Sequence, residues 1–242
     1  MAQNQPRFGH LQTKTVRILG MGKTILTARQ RDFLELAQKE HFVTNNFYFT
    51  GGTALAEFHL QHRLSDDIDL FSEKTEVNAI FVEKFLKQVS PKLGIKKIKR
   101  SNFFGLISYH LVYEDDQELK VDFNYYPFLR IDKSLKFGKL EVDSIRDIAA
   151  NKIHTVYMRP RSRDYIDLYF IHQKMGYDLR SLILDAKAKF DWDIKKLDLA
   201  SQFLRAGEIT KDPPKMLVDF DQKEMESFFA DWAKSLEDDI LK

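Results

Sequence analysis

The chain has 242 residues, 43% hydrophobic and 31% charged, with a formal net charge of +2. That is the ordinary balance of a soluble globular protein, long enough for one sizeable core or two modest domains. The absence of cysteine excludes disulfides, a thiol nucleophile and any cysteine-based zinc site, and no apolar run approaches the roughly 20 residues that span a bilayer.

A start of MAQNQPRFGH lacks the apolar centre of a secretory signal, so a cytoplasmic address is expected. Residues 1–26 carry little pattern and are read as an N-terminal extension. Residues 26–40 predict an amphipathic helix capped by Thr27, with Phe33, Leu34, Leu36 and Ala37 on one stripe. Residues 47–50 form a short aromatic strand that Gly51-Gly52 breaks, and Thr53 is placed to cap a helix from 54 to about 62. A strand at 68–71, a helix at 77–89 and strands at 95–99, 105–113 and 119–125 follow. From residue 144 the pattern is helical only, over 145–157, 163–174, 179–190, 194–204 and 222–241. Gly176 and Asp178 supply a stop and a start between the second and third of these helices. The expected class is α+β: a small mixed β-sheet domain flanked by helices over 27–143, then an all-helical C-terminal domain over 144–242.

Within 49–73, FTGGTALAEFHLQHRLSDDIDLFSE, three carboxylates crowd a strand-like segment. Side chains at i and i+2 of a strand share a face, so Asp67 and Asp69 project together while Ile68 and Leu70 enter the core. Asp66 alternates to the other side and is read as a surface or cap residue. Two carboxylates so close repel unless a cation lies between them. In a protein without cysteine, Mg²⁺ is the natural candidate, because it takes oxygen ligands from one or two carboxylates and from substrate phosphates. Asp122 interrupts the later strand LKVDFNY in the same manner. If the two strands are neighbours, Asp67, Asp69 and Asp122 form a metal site able to hold two ions. The Gly51-Gly52-Thr53 turn at a helix start exposes N–H groups suited to phosphate, and Thr53 adds a hydroxyl. A phosphate cradle with metal-binding carboxylates is the set of parts for two-metal nucleotidyl transfer.

Gly51-Gly52-Thr53, His62-Arg63 and Ser65-Asp66-Asp67-Ile68-Asp69-Leu70-Phe71 resemble the first signature of the AbiEii/AbiGii family of nucleotidyltransferase-like toxins, and more widely the DNA polymerase β-type nucleotidyltransferases. Residues 147–171, DIAANKIHTVYMRPRSRDYIDLYFI, resemble that family's second signature at Lys152, Arg159, Arg163, Asp164, Asp167 and Leu168. The resemblance covers about residues 27–172. It implies an enzyme that moves a nucleotidyl group from a nucleoside triphosphate to an acceptor hydroxyl with Mg²⁺, Mn²⁺ being an alternative ion. Some members are similar to toxins that modify the acceptor end of transfer RNA and are paired with an antitoxin.

On this basis Asp67, Asp69, Asp122 and Lys152 are the expected catalytic set, with the three aspartates as metal ligands. Lys152 would clamp the triphosphate from the second domain. Gly51, Gly52, Thr53, Lys152, Asp164 and Asp167 are the expected nucleotide contacts. Asp164 and Asp167 share a helical face and could instead orient Lys152 or an arginine, or pair with Arg159 or Arg163. Arg159, Arg161 and Arg163, with Lys96, Lys97, Lys99 and Arg100, would follow an RNA backbone or form a solvated basic face. Arg63 is expected to brace the loop carrying Asp67 and Asp69. A protein or small-molecule acceptor, or a nucleotide-binding module without turnover, are the alternatives. Gly22-Lys23-Thr24 is discounted as a phosphate-binding loop because Arg17 stands where that pattern needs glycine. His59 is expected to be an ordinary helix residue, and Tyr125 and Tyr126 to be packing residues.

Overall fold

Local capping chemistry starts the described chain. The computed structural model describes residues 24–103, 106–209 and 213–237, so nearly all of the N-terminal extension and the end of the last predicted helix lie outside the described residues. Thr27 caps α1 (Ala28–Ala37) through a reciprocal box with Gln30. The helix buries Phe33, Leu34 and Ala37 completely. A short α2 (His41–Asn46) follows, capped by the side chain of Glu40.

Strand β1 (Tyr48–Thr50) runs directly into α3 (Gly51–Leu55), which continues as a π-helical turn, Ala56–Leu60. The helix thus begins at Gly51 rather than after Thr53, with Thr50 as its N-cap. Thr53 does not cap it, because its hydroxyl donates to the carbonyl of Asp67. The π turn ends at Gln61 in the left-handed region, with φ of 53°. Next come β2 (Ile68–Ser72) and α4 (Ala79–Leu93), the latter closed by Gly94 at φ 68°. Three strands, β3 (Ile95–Phe103), β4 (Leu106–Tyr113) and β5 (Glu118–Tyr125), form an antiparallel meander. A short hairpin, β6 (Leu135–Phe137) and β7 (Leu140–Val142), completes the strands.

These seven strands make one mixed sheet in the order β3-β4-β5-β2-β1-β7-β6. At its centre β2 is antiparallel to β1 and parallel to β5, while β1 is parallel to β7. The sheet is therefore mixed, as expected, and larger than the sequence pattern implies.

After Val142 the described elements are helices: α5 (Ile145–Met158), α6 (Ser162–Met175), α7 (Leu179–Phe190), α8 (Lys196–Leu204), α9 (Ala206–Ile209) and α10 (Gln222–Ser235). Ser144 caps α5 through the backbone N–H of Asp147, and Gly176 ends α6 in the left-handed region. One buried apolar cluster extends from Phe33 and Phe49 through Ile153 and Leu168 to Phe229 and Leu236. Among the described residues no helix is long and apolar enough to cross a membrane.

Candidate active site

The register of β2 on β5 builds one wall of a cleft. Ile68 and Leu70 are fully buried on one face of β2, and Val121 and Phe123 do the same on β5. Their packing forces Asp69 and Asp122 to the opposite face. The two strands are parallel with Asp69 opposite Asp122, and Thr50 at the end of β1 lies opposite Asp69. Asp67 precedes β2 and joins them at the cleft.

One cation serves this wall. Lys120 stands two residues before Asp122 and so shares its face. Its Nζ is 2.7 Å from Asp122 Oδ2 and 3.3 Å from Asp67 Oδ2. Asp122 Oδ1 is buried with no hydrogen-bond partner. Burial, reinforced by the nearby charges of Asp122 and Asp67, pushes the Asp69 carboxyl up to about 6.

The glycines beside this wall are there for space. Gly51 has φ of 75°, and a Cβ there would collide with the Asp69 carboxylate. A Cβ on Gly52 would come within 2.6 Å of Arg63 Nη2 and 3.0 Å of Ser65 Oγ. Both glycines open α3 at a terminus that no side chain caps.

The opposite wall comes from α5 and α6. Lys152 is 7% exposed, and its Nζ lies 2.7 Å from both Asp164 Oδ1 and Asp167 Oδ2. Arg63 grips Asp167 through Nε (2.7 Å) and Nη2 (2.9 Å), and His62 Nε2 is 2.8 Å from the same carboxylate. Burial lowers the His62 pKa, so the ring is neutral and donates this hydrogen bond. Burial alone would raise the Asp167 pKa, yet Lys152 and Arg63 hold it well below the usual carboxylate range. Arg161 closes over Asp164, donating from its backbone N–H (3.1 Å) and from Nε (3.2 Å).

Between the walls lies a cleft of about 250 Å³. Gly51, Gly52, Asp67, Asp69, Asp122, Lys152, Arg161, Arg163 and Asp164 all line it, so most of the predicted site is brought together. Thr53 is fully buried behind the cleft, braced against Asp67, and Asp167 is buried behind Lys152. Of the alternatives for Asp164 and Asp167, the contacts display orientation of Lys152 and of an arginine. Their arginine partners are Arg161 and Arg63, not Arg159 or Arg163. Arg63 accordingly ties the segment before β2 to α6 rather than bracing the aspartate loop alone.

Arg159 is exposed at the end of α5, and Lys97 and Arg100 sit on β3, the edge strand beyond β4. On that strand Lys96, Lys99 and Arg100 pair with Asp116, Glu118 and Glu83. The basic residues therefore split into a cleft group and a remote, largely neutralised group. His59 lies in the π-helical turn and donates to the carbonyl of Asp143 at 2.9 Å, a contact that the sequence reading does not include, and Asp66 is exposed as expected. Tyr126 packs against Phe71, with centroids 4.9 Å apart, and also borders the cleft. The cleft-lining residues that the sequence pattern misses include Lys120, Asn151 and Thr155. Only Lys120 carried a signal, its i−2 spacing from Asp122.

The donor set fits a divalent cation chemically. It consists of hard carboxylate oxygens, one of them buried without a partner, on three side chains of which Lys120 contacts two. As they stand, however, no three His, Asp or Glu side chains among the described residues converge closely enough to hold a metal ion.

Comparison with known proteins gives the family and the fold. Residues 35–240 match the family described as "Nucleotidyl transferase AbiEii toxin, Type IV TA system". An uncharacterized protein of Aquifex aeolicus (strain VF5), aq_aa25, is 30% identical over 149 residues, covering 61% of this chain and 68% of that one. The structure of JHP933 from Helicobacter pylori superposes with a TM-score of 0.55 at 17% identity, covering 88% of this chain and 91% of its own. A second H. pylori structure, proposed to be a nucleotidyltransferase, gives 0.56 at 18% identity, with coverage of 89% and 97%. These two likenesses establish the fold. With the family match spanning most of the sequence, the chain belongs to the AbiEii nucleotidyl transferase family and is a nucleotidyltransferase.

Proposed function

We propose that this enzyme transfers a nucleotidyl group from a nucleoside triphosphate to a hydroxyl of RNA, at the 3′ end of a transfer RNA, in a Mg²⁺-dependent reaction. It acts as the toxin of a pair whose antitoxin is a separate protein. The observation that carries the reading is the register of Asp69 with Asp122 on adjacent parallel strands, facing Lys152 across a cleft that begins at Gly51 and Gly52.

Magnesium or manganese held by Asp67, Asp69 and Asp122 would neutralise triphosphate charge and lower the pKa of the attacking hydroxyl. The chain's own residues do the rest. The N–H groups that open α3 at Gly51 and Gly52 receive phosphate oxygens. Lys152, fixed by Asp164 and Asp167, and Arg161 and Arg163 beside it present positive charge from the opposite wall. The acceptor hydroxyl gives up its proton to solvent as its oxygen attacks the α-phosphorus in line, the bond from that phosphorus to the oxygen bridging the β-phosphate breaks, and pyrophosphate leaves. Holding both reactants in one narrow cleft supplies the orientation this step needs. Arg161 and Arg163 at the cleft, with Arg159 exposed nearby, favour a phosphate-bearing acceptor. The basic residues of β3 add little to that preference, since Lys96, Lys99 and Arg100 are matched by carboxylates.

A label-transfer assay tests the proposal. Purified protein and Mg²⁺ are incubated with each α-labelled nucleoside triphosphate and with total transfer RNA, a protein lysate or no acceptor. Label reaching RNA from the wild type and not from Asp69→Ala is the expected result. Label reaching protein instead would replace RNA as the acceptor, and no transfer to anything would remove the proposed reaction.

A further inference from the structure

Two lysines face the cleft, and only one of them can leave its carboxylates at low cost. Lys152 is buried between two aspartates that have other cationic partners as well. Lys120 has a side chain 32% exposed, contacts one oxygen each of Asp67 and Asp122, and reaches them from a flexible four-carbon stem.

The position of Lys120 is imposed by the strand. Val121 and Phe123 are fully buried on the other face of β5, so Lys120 and Asp122 must emerge together beside Asp69. Its single charge is shared between two carboxylates with Asp69 alongside, and Asp122 Oδ1 stays unpartnered. The oxygens Lys120 occupies are ones a divalent cation would need.

From this arrangement we infer that Lys120 is a built-in counter-ion that competes with the divalent cation for Asp67 and Asp122. It holds the cation-free enzyme together against its own repulsion and sets the cation affinity of the site. The inference rests on the proposed role of these aspartates as cation ligands. It makes Lys120 a positioning residue with a distinctive signature: removing its charge moves cation-free stability and cation affinity in opposite directions. An ordinary structural ion pair would lower stability with and without the cation and leave affinity unchanged. A lysine that serves only the substrate would alter neither.

The test uses Mn²⁺ alone, without nucleotide, in titration calorimetry, together with melting temperatures in chelator and in Mn²⁺. Lys120→Gln is expected to bind Mn²⁺ about five- to tenfold more tightly than wild type, as loss of a partly exposed ion pair allows. It should also melt lower in chelator and gain more from the ion. Lys120→Arg, whose guanidinium fork holds carboxylates more firmly, is expected to bind Mn²⁺ more weakly than wild type. Asp69→Asn separates the two levels of the reading. If wild type binds, Asp69→Asn does not, and Lys120→Gln is no tighter than wild type, the competition is refuted while the cation site stands. If wild type and Asp69→Asn bind equally or not at all, the cation site itself is refuted, and the inference with it. Should Lys120→Gln fold only when Mn²⁺ is present, the competition is supported. Should it fail to fold in either condition, Lys120→Arg decides: weaker binding supports the inference, and equal or tighter binding overturns it.

Discussion

Lys120 and Lys152 approach one cleft from opposite walls, and their surroundings are electrically opposite. Around Lys152, Asp164 and Asp167 are matched by Lys152, Arg63 and Arg161, and both Asp167 oxygens accept charge-assisted hydrogen bonds. Around Lys120, Asp67 and Asp122 share one ammonium, and the Asp69 carboxyl is still pushed up although Lys120 and Lys152 both lie near enough to oppose the shift. Saturated polar clusters hold a fold in a single arrangement, whereas a cluster with unspent charge is a place where something else binds. The helical wall therefore holds Lys152 in place and ties the segment before β2 to α6, and the sheet wall is the one that the proposed function makes reactive.

The largest effect expected from this contrast is on turnover. Asp122→Asn lowers nucleotidyl transfer by on the order of a thousandfold or more, because it removes charge from the reactive wall. Circular dichroism on the same sample checks that the fold persists. A loss of only a few-fold would show that the reactive wall lies elsewhere.

At the saturated wall the main effect is on stability. Asp167→Ala leaves Arg63 and Lys152 buried without their shared carboxylate and costs about 3–5 kcal/mol. Denaturant melts check this, and a change below about 1 kcal/mol would deny Asp167 its role in that tie.

A smaller effect concerns pH, at a third carboxylate beneath the cleft. Asp143 is completely buried and accepts from Thr50 at 2.7 Å, just before the glycine turn. Burial, opposed by Lys189, pushes its carboxyl up from 3.8 to about 7. The folded protein thus keeps a proton that the unfolded chain has lost between those values. Wild type accordingly loses stability as pH rises through that window. Asp143→Asn carries no such penalty. Its stability relative to wild type should be unchanged near pH 4 and improve by on the order of 1–3 kcal/mol by pH 8. Chemical melts across that range measure it, and a pH-independent difference would contradict the assignment.

The smallest effect separates the two basic groups. Arg161→Ala with Arg163→Ala weakens binding to transfer RNA and flattens its salt dependence by roughly one unit for each phosphate no longer neutralised. Lys97→Ala with Arg100→Ala changes it less, since Arg100 already pairs with Glu83. Gel shifts over a salt series compare the two, and an equal response would place the RNA across both surfaces.

Part of the sheet wall is legible in the sequence because strand periodicity orients Asp69 and Asp122, while Asp67 comes just before β2. The glycine turn was legible too, although its steric reason was not: the collisions that a side chain would make with Asp69 and Arg63 exist only in three dimensions. The parallel pairing of β2 with β5 spans about fifty residues, and no local pattern encodes it. Lys120 was hidden for a related reason. Its spacing from Asp122 was visible, but Asp67 comes within its reach only through that pairing. Thr53 shows the limit of cap signals, since its hydroxyl found the carbonyl of Asp67 instead of the helix start. Strands β6 and β7, three residues each, are too short to display alternation. The partnership of His62 and Arg63 with Asp167 crosses more than a hundred residues and belongs to tertiary packing.

The most direct test of the account pairs two measurements on one preparation of Asp69→Asn: the melting temperature without divalent cations, and transfer of label from an α-labelled nucleoside triphosphate. An unbalanced, reactive carboxylate predicts a variant that melts at or above the wild-type temperature, relieved of repulsion from Asp67 and Asp122, and transfers no label. A variant that melts well below wild type, or that still transfers label, would contradict it.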